Sequence, residues 1–125
     1  MMNNIKEKLD LNKKLVLIHC QYVYGIGHFV RSIELATALL EFFNVIMVNG
    51  GEHISNYEID ERIILIQIPA IFKMEVSNEL VSVDESLTLN ECYSKRTNII
   101  NDFLMEFRVD ILITEHYPFG LLFHD

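Results

Sequence analysis

The residues best equipped for chemistry fall at two places in the sequence. Tyr24-Gly25-Ile26-Gly27-His28-Phe29-Val30-Arg31 sets an imidazole directly after a pair of glycines, and Glu115-His116-Tyr117-Pro118 sets a carboxylate beside a second imidazole. Glycines let a backbone turn tightly and come close to a ligand. The N–H groups that open a following helix can receive an anion or a sugar hydroxyl. His28 would stand at that helix start as a proton acceptor, and Glu115 would orient its ring and stabilise the imidazolium formed. Each feature also has a plainer reading. The glycines can be loop geometry, His28 a capping or packing residue, and Glu115 with His116 an exposed polar strand end. The glycine loop is not the dinucleotide fingerprint, because Val30 stands where the third glycine of G-x-G-x-x-G belongs.

The remaining polar residues carry weaker signals. Arg31 and Glu34 are one helical turn apart and can pair with each other, which contributes little. Asn49-Gly50-Gly51-Glu52 closes a second strand at the same edge, but no partner motif makes Glu52 a ribose ligand. His19 lies inside the first strand and reads as a buried core histidine, while His53 and His124 are isolated. Cys20 and Cys92 are too few for a disulfide framework. No His, Cys, Asp or Glu spacing suggests a metal site, so neither metal nor cofactor is expected.

The elements that would position these residues can be read from hydrophobic periodicity. Leu15-Val16-Leu17-Ile18 is a continuous apolar run suited to a strand buried on both faces. Phe29, Ile33, Ala36, Leu39, Leu40 and Phe43 then recur at helical spacing. Asn44 turns the chain into Val45-Ile46-Met47-Val48, a second strand, and Ile63 to Ile68 is a third, stopped by Pro69. Residues 70–90 have weak periodicity and receive no assignment. A helix is expected from about Asn90 to Phe107, with Tyr93, Ile99, Ile100, Phe103, Leu104 and Phe107 on its apolar face and Lys95, Arg96 and Asp102 elsewhere. Val109 to Thr114 is the fourth strand. The order strand, helix, strand, strand, helix, strand predicts a Rossmann-like α/β domain with a parallel sheet. Right-handed crossovers give the spatial order 3-2-1-4, an incomplete doubly wound sheet. That order sets strand four beside strand one, and so Glu115 and His116 beside the His28 loop.

Composition bounds the rest. The 125 residues fit one domain, and with 50% hydrophobic residues they can build a core without staples. A formal charge of −8 argues against nucleic acid as a partner. The first fourteen residues lean basic and read as a solvated lead-in. No secretory h-region and no bilayer-spanning run is seen, so a cytoplasmic protein is expected.

The run from His19 to Ala36, with Val48-Asn49-Gly50-Gly51, Gln67-Ile68-Pro69-Ala70 and Asp110 to Gly120, resembles a bacterial family of GT-B glycosyltransferases. That family is related to the enzymes that add N-acetylglucosamine to lipid-linked murein precursors. The resemblance covers about residues 14 to 124, and the pair G-x-G-H-x-x-R and E-H-x-P-F-G carries it. It departs after Gly120, where Leu121 and Leu122 stand in place of an arginine. The resemblance implies the N-terminal, acceptor-side half of a two-domain fold, the donor-binding C-terminal domain being absent from this chain. It implies His28 as the catalytic base and Glu115 as its partner. Gly25, Gly27, Arg31 and His116 would be substrate contacts, and no metal would be needed.

The implied partners are a nucleotide-sugar donor, held by a missing domain or a partner chain, and an acceptor of undetermined kind. Peripheral contact with a membrane, self-association or a partner subunit are further expectations. Apolar surface near Phe119, Leu121, Leu122 and Phe123 would drive self-association, and the chain alone is expected to show no transfer. Two alternatives stay open: a GT-B-like hydrolase of activated sugars, in which the histidine activates water, and a non-catalytic remnant or binding module.

Overall fold

The computed structural model describes residues 2–21, 27–74 and 76–114. Its order is α1 (Met2–Lys8), β1 (Lys14–Cys20), α2 (Gly27–Leu39), β2 (Phe43–Asn49), β3 (Ile63–Gln67), β4 (Ile71–Lys73), β5 (Leu80–Ser82), α3 (Leu89–Glu106) and β6 (Ile111–Thr114). β3, β2, β1 and β6 form a parallel sheet in that order. This is the predicted 3-2-1-4 arrangement of a mixed α/β, Rossmann-like fold, with the fourth predicted strand now numbered β6.

The continuous apolar runs are explained by what covers the sheet. Leu15, Leu17, Ile46, Val48, Ile64 and Ile66 pack with Ile100, Phe103 and Phe107 of the α3 region and with Ile5 of α1. Val16, Ile18, Cys20, Val45 and Met47 pack on the opposite face with Phe29, Ile33 and Ala36 of α2. Successive strand residues point to opposite faces, so a strand covered on both must be apolar at every position. Register makes each layer continuous: Leu17 stands opposite Ile46, and Ile46 opposite Ile64.

Three sequence expectations are amended. The N-terminal stretch is mostly exposed, as a solvated lead-in would be, but it also forms a helix that is fastened to the fold: α1 buries Ile5, and Lys6 Nζ meets Glu106 Oε2 at 2.7 Å. Asn44 belongs to β2 rather than to a turn. Its side-chain amide donates to Asp10 O and Lys13 O and accepts from Asp10 N, fastening the α1–β1 connection to the sheet. Within 70–90 lies an antiparallel hairpin, β4 with β5, pairing Ile71 with Ser82 and Lys73 with Leu80. Strands of three residues are too short for a period of two to register in the sequence. In their connection Asn78 takes φ 59°, a conformation that asparagine tolerates better than most side chains.

Helix α3 starts with a reciprocal cap. Thr88 Oγ1 accepts from Glu91 N at 3.1 Å, and Glu91 Oε1 accepts from Thr88 N at 3.0 Å. These bonds satisfy two donors that no helical carbonyl can reach. At its far end Phe103 and Phe107 stack, with ring centroids 5.6 Å apart.

Candidate functional site at the carboxyl edge of the sheet

In parallel α/β sheets ligands meet the loops beyond the strands' carboxyl ends. Here β1, β2 and β3 all deliver their following residues to that edge. Gly27 and His28 open α2, and Arg31 follows one turn later. An added Cβ at Gly27 would meet nothing within 4 Å, and no described glycine has positive φ, so Gly27 borders open space instead of serving a strained turn. His28 is half-buried, and Arg31 Nη2 lies 2.6 Å from its Nδ1. Gly25, Glu115 and His116 fall outside the described residues. β6 does lie beside β1, with Thr114 opposite His19 in the register. His19 is buried, as its place inside β1 requires.

The side chain that organises this edge is Arg96 of α3, only 1% exposed. Its Nη1 donates to Gly50 O and Pro69 O, both at 3.1 Å, and its Nη2 donates to Gln21 Oε1 at 2.6 Å. One guanidinium therefore ties together the chain ends leaving β1, β2 and β3. Burial pulls its pKa down to about 10, which leaves it cationic at neutral pH. Gly50 is required here: a Cβ would run into Gln21 Oε1 and the Arg96 guanidinium.

Sequence reasoning placed Arg96 off the apolar face of its helix. The missed signal was its phase: Arg96 falls four residues after Cys92 and four before Ile100, and all three are buried. Gln21 was passed over because nothing local distinguishes it from a loop residue. Its amide also donates to Ile71 O at 3.4 Å, reaching the start of the hairpin.

A second polar set closes the β2–β3 corner. Gln67 Nε2 donates to Gly51 O and Ile68 O, and Asn49 Nδ2 donates to Gln67 Oε1. Beside it runs an open groove of about 610 Å³, bordered by His53, Gln67, Pro69, Asp84, Lys95 and Ile99. His53, isolated in the sequence, thus shares a groove with a carboxylate and an ammonium. Hydrogen bonds from Ser86 hold the Asp84 carboxyl below its ordinary range, so it is ionised at neutral pH. Neither Cys20 nor Cys92 forms a disulfide, and both are buried. Among the described residues no group of three His, Cys, Asp or Glu side chains could hold a metal ion. No helix among them is long and apolar enough to cross a membrane.

Comparison with protein-family models, with curated proteins and with solved structures finds no match.

Proposed function

We propose that this chain forms the acceptor side of a sugar-transferring enzyme of GT-B architecture. The nucleotide-sugar donor would be held by sequence outside these 125 residues or by a partner chain. One observation carries the reading: His28 opens the helix after β1 of a parallel sheet ordered β3-β2-β1-β6, at the edge where such sheets meet ligands. The motif resemblance supplies the chemistry. His28 would take the proton of the acceptor hydroxyl as its oxygen attacks the anomeric carbon, and the nucleoside diphosphate would leave with the electrons of the broken glycosyl bond. Glu115 would orient the imidazole, while Gly25, Gly27, Arg31 and His116 would border the acceptor.

The test is transfer of labelled sugar from a panel of nucleotide sugars to membrane and soluble extracts. It would be run on the 125-residue chain and on the same chain with its flanking coding sequence or the product of the neighbouring reading frame. Transfer is expected only with the second component present. Release of free sugar without any acceptor would favour hydrolysis instead, and no turnover in any combination would sink both enzymatic readings.

A further inference from the structure

The Arg31–His28 contact constrains which ring nitrogen can do what. A guanidinium carries five N–H donors and no acceptor. At 2.6 Å from Arg31 Nη2, the Nδ1 of His28 must therefore be the acceptor. A neutral imidazole has one N–H, so its proton must then lie on Nε2. In that form the ring can give a hydrogen bond through Nε2 to a hydroxyl, carbonyl or phosphate oxygen, but it has no second lone pair with which to take a proton.

We infer that Arg31 is a positioning residue that sets the tautomer of His28, holding it as an Nε2–H donor while the guanidinium is docked. The local geometry suits this task. Both residues belong to the first turn and a half of α2, and a spacing of three brings their side chains to the same helix face. Arg31 itself is exposed, so its head group can be drawn away by an incoming anion without disturbing the core. Departure of the guanidinium returns the Nδ1 lone pair to the ring. For the transferase reading, on which this consequence rests, proton acceptance by His28 would then wait on whatever group engages Arg31. The tautomer itself does not depend on that reading.

The experiment is imidazole nitrogen NMR on the ¹⁵N-labelled chain without ligand, at a pH where the ring is neutral. The sequence holds five histidines, and the His28 signals are those lost in His28→Gln. The wild-type ring should show a protonated Nε2 and an unprotonated Nδ1, with Nδ1 shifted upfield as a hydrogen-bond acceptor. Arg31→Met should move Nδ1 downfield, toward the position of a nitrogen without a donor, and Arg31→Lys should recover part of that shift. A proton on Nδ1 in the wild type would overturn the inference, as would an Nδ1 resonance unmoved by Arg31→Met. Because the spectrum is read on the unliganded chain, failure here leaves the transferase reading standing, and failure of that reading leaves the tautomer assignment standing.

Discussion

Three oxygen acceptors converge on the Arg96 guanidinium: Gly50 O, Pro69 O and Gln21 Oε1. Gly50 O also accepts from Ile71 N at 3.1 Å and Pro69 O from Cys92 Sγ at 3.6 Å, so the guanidinium completes acceptors that the ended strands leave only partly satisfied. Removing the donors while keeping the bulk, as in Arg96→Met, strips three charge-assisted bonds from these acceptors. The loss is expected to be about 2–4 kcal/mol in urea unfolding, part of it offset by the charge that no longer has to be buried. Arg96→Lys should recover only a fraction, since one ammonium cannot fork between three acceptors. Gly50→Ala presses on the same cluster from the other side. A Cβ there meets Gln21 and Arg96, whose positions are fixed by their own bonds, so overpacking of about 1–3 kcal/mol is expected in the same assay. If Gly50→Ala unfolds at the wild-type midpoint, the cluster is looser than described. Arg96 shows the limit of reading charge along a helix. Its residue type argues for solvent while its phase argues for the core, and only the carbonyls of three distant loops decide between them.

At the level of elements, α3 depends on its start as well as on its buried face. Thr88 and Glu91 satisfy each other's backbone N–H groups, and Thr88→Ala is expected to lower stability by about 0.5–2 kcal/mol. The Thr88 N–H holds the Glu91 carboxyl below its ordinary 4.5. A carboxyl whose folded-state pKa is depressed stabilises the fold above its unfolded value, and that contribution is lost as pH falls through the folded one. The gap between wild type and Glu91→Gln, which keeps the acceptor oxygen but not the charge, should therefore be full at neutral pH and narrow below about 4.5. A gap that is constant down to acid pH would show that the carboxylate has no part in the cap. The strands were legible because β1, β2 and β3 are covered on both faces, and nearly every position in them is apolar. The β4–β5 hairpin was not, because its pairing is set by three-residue strands and by the bond from Val83 N to Ala70 O rather than by any repeat. α1 was hidden for a similar reason: a single buried side chain, Ile5, fastens it to the core.

Across the whole molecule, the sheet is better covered at β3, β2 and β1 than at β6. Ile111 is 39% exposed and Leu112 48%, on opposite faces of that strand. β6 is an edge strand among the described residues, and an exposed apolar edge invites pairing with another chain. The chain is therefore expected to associate at high concentration in sedimentation velocity, and Leu112→Lys should weaken that association. Monomeric behaviour of the wild type throughout would remove this expectation. The sheet order was readable from the succession of elements, and with it the meeting of the β1 and β6 ends at one edge. The chemistry at that edge was readable only as residue types, since His28 and Arg31 look like independent polar positions until the helix brings them to 2.6 Å. Substrate handling is proposed for His28, at the start of α2. Its most direct test is the transfer rate of the reconstituted enzyme carrying His28→Gln, at saturating donor, alongside the thermal midpoint of the same preparation. The account predicts a fall of about 10²–10⁴-fold in rate with an unchanged midpoint. A rate within a few-fold of wild type would contradict it.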